Sequence, residues 1–211
     1  MSSAGSQDRG QAFPIYVVAV TGLLFAAFAF VVVGMAGATR SEAQGAADAA
    51  ALAAAQEARD NAFVDMDLVV LEQDDWGKIL KGDRLDVSGS ACGKAITFAA
   101  RNNATAMCQA SRREFKVSVT TKDTVGDSVI PGSENVQGKA RATAVIEPRC
   151  SLGSPTAPTP SATPSPGGGG AEAPSSIEFR CKGGAVVTLD PTKPGSLARL
   201  AKQLFSVRLA D

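Results

Sequence analysis

The chain is 211 residues long, and 21 Lys and Arg residues balance 21 Asp and Glu residues, so its formal net charge is zero. That balance argues against a nucleic-acid partner, which requires a basic face. The sequence has no histidine, which removes the commonest general base and the commonest metal ligand.

Residues 1–12 read as a short tail in which Arg9 is offset by Asp8. No charged residue lies between Gln11 and Thr39, and residues 13–38 are long enough to cross a bilayer core, which takes about 20 apolar residues. Pro14 falls in the first turn, where its missing N–H costs nothing. Tyr16 falls near one interface, where amphipathic rings are favoured. The rival reading is a secretory signal cleaved after Ala36-Gly37-Ala38. Signal cores run to about 7–15 apolar residues, and this run is longer, which favours a retained anchor.

Residues 39–64 form an alanine-rich extension with no proline and a single glycine, Gly45. Ala is the strongest helix former, so one helix is predicted to leave the bilayer and continue. Ala47, Ala51, Ala54 and Ala58 recur at helical spacing and, with Gly34 and Ala38 in the anchor, make a small-residue face. Such a face admits a neighbouring helix at close range, or it serves only to keep the helix stable.

Residues 65–150 read as a compact domain. Leu68 to Leu71 fits either a short strand or the end of the long helix, Asp75 to Leu80 a helical turn, and Arg84 to Val87 an extended segment. Ser90 is a candidate N-cap for an amphipathic helix over Ala91 to Arg101 that ends at Asn102-Asn103. Phe115 to Thr120 and Lys139 to Ile146 alternate apolar and polar residues, the period of strands. They are predicted to pair as an antiparallel hairpin with a long polar loop, covered by the helices. Residues 151–176 are rich in Pro, Ser, Thr and Gly and cannot bury enough surface to fold. Beyond them, within 177–211, Ile177 to Arg180, Ala185 to Leu189 and Val207 to Leu209 read as strands. Ser196 to Phe205 reads as a helix, and the whole tail is expected to return to the same sheet. The fold class is therefore α+β: a long N-terminal transmembrane helix extending into a small exported domain with an antiparallel sheet and one or two packing helices.

All four cysteines, Cys92, Cys108, Cys150 and Cys181, follow the span. An even count on one side suits two disulfides in an oxidising compartment. This places the N-terminus in the cytoplasm and the domain outside, where Arg9 and Arg40 alone say little. Four cysteines allow three pairings, and sequence does not choose among them. The predicted pairing is Cys150–Cys181, which would staple the base of the low-complexity loop, with Cys92–Cys108.

Chemistry-bearing motifs are sparse. The cysteines lack C-x-x-C spacing, so zinc is not expected. The acids from Asp65 and Asp67 to Glu72, Asp74 and Asp75 lack the glycine turn of a calcium loop and read as a solvated face. There is no G-x-S-x-G and no glycine-rich phosphate loop. No catalytic, metal or cofactor residues are assigned, and no cofactor is expected.

Asp8-Arg9-Gly10-Gln11-Ala12, the apolar run, Arg40 and the string Ala47-Asp48-Ala49-Ala50-Ala51-Leu52-Ala53-Ala54-Ala55 resemble the N-terminal signature of TadE/TadG-like proteins. These belong to bacterial Flp-type (tight adherence) pilus assembly systems. The resemblance covers about the first 60 residues. It implies a non-enzymatic, membrane- or pilus-associated protein whose N-terminal helix packs beside those of pilus-assembly or pilin-like partners. One feature departs from processed prepilin-like members: Ile15, not Glu, stands five residues after Gly10. The departure favours an unprocessed assembly factor or minor component over a major pilin. The alternative is a membrane-anchored extracytoplasmic module that binds an envelope or surface ligand.

Overall fold

The computed structural model describes residues 12–83, 85, 89–124, 134–153 and 176–210. The tail with Arg9 and Gly10, most of the segment Arg84 to Val87, the centre of the Asp123–Gln137 loop and nearly all of the Pro/Ser/Thr stretch lie outside the described residues.

Helix α1, Ala12–Asp60, is continuous over 49 residues, which at 1.5 Å per residue is roughly 70 Å. Its first part, Phe13–Val31, is long and apolar enough to cross a membrane and is not buried anywhere in the chain. Its second part is the spine of the domain. Here the helix carries mostly alanine, and Ala43, Ala46, Ala47, Ala50, Ala51, Ala54, Ala55 and Ala58 are all buried.

Two helices follow, α2 (Gln73–Leu80) and α3 (Gly89–Arg101). The main sheet contains β1 (Ala104–Ser111), β2 (Glu114–Thr124) and β3 (Gln137–Pro148). A smaller sheet contains β4 (Cys150–Leu152), β5 (Ile177–Cys181) and β6 (Val186–Leu189). Helix α4 (Leu197–Leu204) and strand β7 (Phe205–Leu209) complete the chain. The main sheet has the order β1-β2-β3-β7 and the small one β4-β5-β6, with every pair antiparallel.

The predicted hairpin is β2 and β3, with Val117 opposite Ala142 and Thr120 opposite Lys139. Period-2 alternation turns Phe115, Val117, Val119, Ala144 and Ile146 inward, where α1 lies across β2 and β3. Small residues bring the layers close. A Cβ on Gly138 of β3 would sit 2.6 Å from the Thr39 carbonyl oxygen of α1 and 3.1 Å from the Ala43 Cβ. Helix α3 lies along α1 through its own alanine stripe, Ala91, Ala95 and Ala99, and Lys94 Nζ meets Glu57 at 3.6 Å.

An aromatic cluster joins the two sheets beyond the end of α1. Phe63 contacts Trp76 (centroids 6.0 Å apart) and Phe205 (6.4 Å), and Trp76 meets Phe179 edge-on at 5.4 Å. Backbone bonds reinforce the joint: Arg149 N–H donates to Leu204, and Lys182 N–H donates to Arg149.

The structure corrects the sequence reading in four places. Strand β1 was not anticipated: it is alanine-rich, and Ala is depleted in strands. Its turn into β2 is Arg112-Arg113, with Arg112 at φ 44°, where hairpins usually advertise themselves with Asn or Gly. Leu68 to Leu71 is neither strand nor helix but part of an irregular connection; Leu68 is buried while Val69 and Val70 project outward. Ser90 is not an N-cap, because α3 already includes Gly89. The tail divides: β7 joins the main sheet beside β3, whereas β5 and β6 pair with β4 in a sheet of their own.

Candidate assembly interface

The signature and small-residue positions fall into two groups along α1. Gly34 and Ala38 are exposed, and nothing lies within 4 Å of where a Gly34 Cβ would stand. Ala47, Ala51, Ala54 and Ala58 are buried against the chain's own sheet and α3. The helix that this alanine face receives within the chain is therefore α3. Among the signature residues, Arg40 is exposed, Ala49 half-buried and Ala50 buried, and Leu52 packs on the core. Asp48 accepts a hydrogen bond from Gln44 Nε2 at 2.8 Å. The signature thus seats the domain on its stalk. At Ala47, Ala50, Ala51, Ala54 and Ala58 a side chain larger than Ala would push α1 away from its neighbours, since these positions are buried and interiors are close-packed.

The apolar part of α1 is different. Phe13, Phe25 and Phe30 are each at least three-quarters exposed, and the surrounding residues are exposed on all sides of the helix. A helix that is hydrophobic all round belongs in a membrane or among other helices.

The structure joins Cys92 of α3 to Cys108 of β1 and Cys150 of β4 to Cys181 of β5. The second bridge connects residues directly opposite in register and closes the base of the low-complexity stretch. The first pins the edge strand β1 to α3.

A groove of about 640 Å³ opens at the β1–β2 turn, where Arg113, Glu147 and Arg208 line it. Arg208 Nη2 stands 2.7 Å from Glu147 Oε1. That hydrogen bond holds the Glu147 carboxyl below its ordinary range, aided by the positive fields of Arg208, Lys182 and Arg113. Asp190 is also held low, by bonds from the hydroxyl and the N–H of Thr192. Both carboxylates are stabilised as anions, the opposite of what a general acid at neutral pH requires. Of the adjacent pair, Asp75 faces Lys78 at 3.3 Å and Asp74 is exposed. Among the described residues, no cluster of three or more His, Cys, Asp or Glu side chains could hold a metal ion.

Sequence reading missed one surface feature. On the outer face of the main sheet Lys122, Lys139 and Arg141 are exposed, and Lys139 and Arg141 stand opposite the hydroxyl-bearing Thr120 and Ser118. The strand alternation carried that signal, since residues between inward ones must point outward.

Residues 10–57 match a family model described as putative Flp pilus-assembly TadE/G-like. The match spans the exposed apolar stretch and the alanine seat of α1, and it stops before the sheet. It bears out the resemblance read from the sequence and supports an association of the chain with Flp/Tad pilus assembly. No curated protein and no solved structure matches the chain.

Proposed function

We propose that this chain is a non-enzymatic, single-pass membrane component of a Flp/Tad-type pilus or secretion apparatus, acting as an assembly factor or a minor pilin-like subunit. One correspondence carries the reading: the described part of the matched segment, residues 12–57, is a single helix, its first part exposed and apolar and its second part built into the chain's own domain. The exposed half is free to lie in a bilayer or beside the helices of partners. The other half fixes the domain rigidly to it, so movement of the anchor moves the domain.

The N-terminus belongs in the cytoplasm and the domain outside. Two disulfides favour an oxidising compartment. Residues 36–38 lie inside α1, so an anchor continuous with the domain is favoured over cleavage there. Gly34 and Ala38, with open space around them, are the positions proposed to meet a partner helix.

Deletion and complementation of the gene test the assignment, with loss of surface pili expected on deletion; wild-type piliation in the deletion strain would end it. Intact mass from the native membrane fraction refines it. A start near Met1 or Ser2 supports a permanent anchor, one at Gln11 indicates prepilin-type processing, and one at Thr39 indicates a secreted protein.

The second reading, a ligand-binding module, draws on the groove beside Arg113 and Arg208. Specific binding of an anionic envelope polymer by the purified protein, with no pilus protein present, would favour it.

A further inference from the structure

Two exposed patches of opposite charge lie toward opposite ends of the part of α1 that is built into the domain. At one end, the connection from α1 to α2 carries Asp65, Asp67 and Glu72 and the first turn of α2 carries Asp74, all four exposed, with no Lys or Arg between Val64 and Gly77. None of the four makes an ion pair among the described residues. Asp67 Oδ1 accepts the Val69 N–H at 3.0 Å, and Val69 and Val70 beside it are 56% and 69% exposed. At the other end, Lys122, Lys139 and Arg141 project from the outer sheet face, also without an ion-pair partner among the described residues. Glu114 and Glu147, which share that face, are occupied by Lys116 and Arg208.

The two surfaces do not neutralise each other within one molecule. Gly138 lies at the level of Thr39 and the Arg141 backbone carbonyl accepts from the Gln44 side chain, whereas the acidic connection follows Asp60. That interval on α1 is roughly 30 Å at 1.5 Å per residue, well beyond a screening length of about 10 Å at 0.1 M salt.

The geometry points to a second copy of this chain as the occupant of both surfaces: the acidic, valine-tipped end of one copy docks on the Lys122–Lys139–Arg141 face of the next. The inference rests on the pilus reading and deepens it. Charge complementarity selects the pair, because each surface holds the charge the other lacks and leaves unpaired. The contact is heterologous, and a displacement along α1 from each copy to the next keeps it from closing into a ring. It needs the second copy displaced along α1 by roughly the 30 Å that separates the surfaces. Two copies at equal depth in a bilayer cannot make it; a copy raised by that distance can. The contact therefore belongs to the assembled state.

The test uses the full chain in detergent, where copies can slide past one another, with a photo-crosslinking residue at Val70 and isotopically labelled and unlabelled chains mixed. Crosslinks from Val70 to peptides holding Lys122, Lys139 or Arg141 of another copy are expected. They should fall several-fold in the triple Lys122→Glu, Lys139→Glu, Arg141→Glu variant, and return when Asp65→Lys, Asp67→Lys and Asp74→Lys are added. Crosslinks confined to α1, capture of a different protein alone, or indifference to the reversals would overturn the proposal. Its fate separates from that of the pilus reading. If crosslinks fail while deletion still removes pili, only this contact is lost; if crosslinks form while deletion leaves pili intact, the contact stands without the pilus.

Discussion

Gly138 and Thr39 meet backbone to backbone: a Cβ on the glycine would stand 2.6 Å from the Thr39 carbonyl oxygen, a distance that real Cβ atoms do not tolerate. Strand β3 therefore touches α1 where the helix enters the domain. The contact is braced by the buried Thr121, whose hydroxyl accepts the Gly138 N–H at 2.9 Å and donates to the Asp123 carbonyl at 2.8 Å.

Gly138→Ala is expected to lift β3 from the helix and cost about 1–3 kcal/mol, the usual range for overpacking. Lys139→Ala next to it, exposed and unpaired among the described residues, should stay within about 0.5 kcal/mol of wild type. Chemical denaturation of the two variants side by side is the check. Equal stability would mean that the helix and strand are not in contact in solution.

Trp76 is the largest fully buried side chain among the described residues, yet its indole Nε1–H has no hydrogen-bond partner among them. A buried unpaired donor costs about 1–3 kcal/mol, which offsets part of what the ring gains by packing on Phe63 and Phe179. Trp76→Phe removes the orphan donor at the cost of some volume and is expected to be nearly neutral. Trp76→Ala should cost about 3–5 kcal/mol, as large aromatic truncations do. A strongly destabilised Phe variant would show that the donor is satisfied in solution.

What the sequence made legible follows the strength of each pattern. The long helix and the β2–β3 pair rest on composition and strict alternation, and both are present. Pairing Cys150 with Cys181 follows from asking what must hold the base of a segment that cannot fold, and the structure makes that bridge. Strand β1 was hidden because its inward residues are small, and because Arg112 adopts a positive φ that no Gly or Asn announced. The destination of the alanine face was equally hidden. Small-residue spacing says that a helix comes close, but not whether it belongs to the same chain. Only the placement of Ala91, Ala95 and Ala99 on α3 answers that. For the basic outer face, alternation already turns Lys139 and Arg141 outward, and strand register adds only what they stand beside, Thr120 and Ser118.

Removing either disulfide should weaken the domain. The bridges span sequence separations of 16 and 31 residues, and the chain-entropy relation gives about 3–4 kcal/mol for loops of this order. Cys150→Ser with Cys181→Ser, and separately Cys92→Ser with Cys108→Ser, should each lower the urea midpoint. Reducing agent should lower the wild-type midpoint and leave a variant lacking all four cysteines unchanged. A midpoint insensitive to reductant in the wild type would mean that the bridges contribute nothing to stability.

Acid should destabilise the fold through two identified groups. Glu147, beside Arg208, and Asp190, bonded by Thr192, both have folded-state pKa values below their ordinary ones. For a lowered carboxylate, the folded protein holds fewer protons than the unfolded chain. The stability it contributes is complete above the unfolded pKa, about 4, and is lost as pH falls through the folded value. Asp190→Asn and Glu147→Gln are therefore expected to be less stable than wild type at pH 7 and to converge with it once the pH has fallen through the folded-state values. Thermal melts across that interval decide it; variants that run parallel to wild type at every pH would exclude the linkage.

The two halves of α1 should respond oppositely to the same substitution. Ala51 is fully buried, so Ala51→Leu inserts three carbons where β2, β3 and α3 leave no room. It is expected to cost about 1–3 kcal/mol or more and to deplete the protein from cells. Gly34 is exposed with open space around it, so Gly34→Leu should leave the melt of the domain unchanged. If Gly34 meets a partner helix, that same variant should lose piliation while still accumulating in the membrane, because a large side chain keeps two helix backbones apart. Measuring abundance, melting and piliation together separates the cases. Normal pili in a well-expressed Gly34→Leu strain would exclude this face of the helix from assembly, and a stable Ala51→Leu domain would show that the alanine seat is not close-packed in solution.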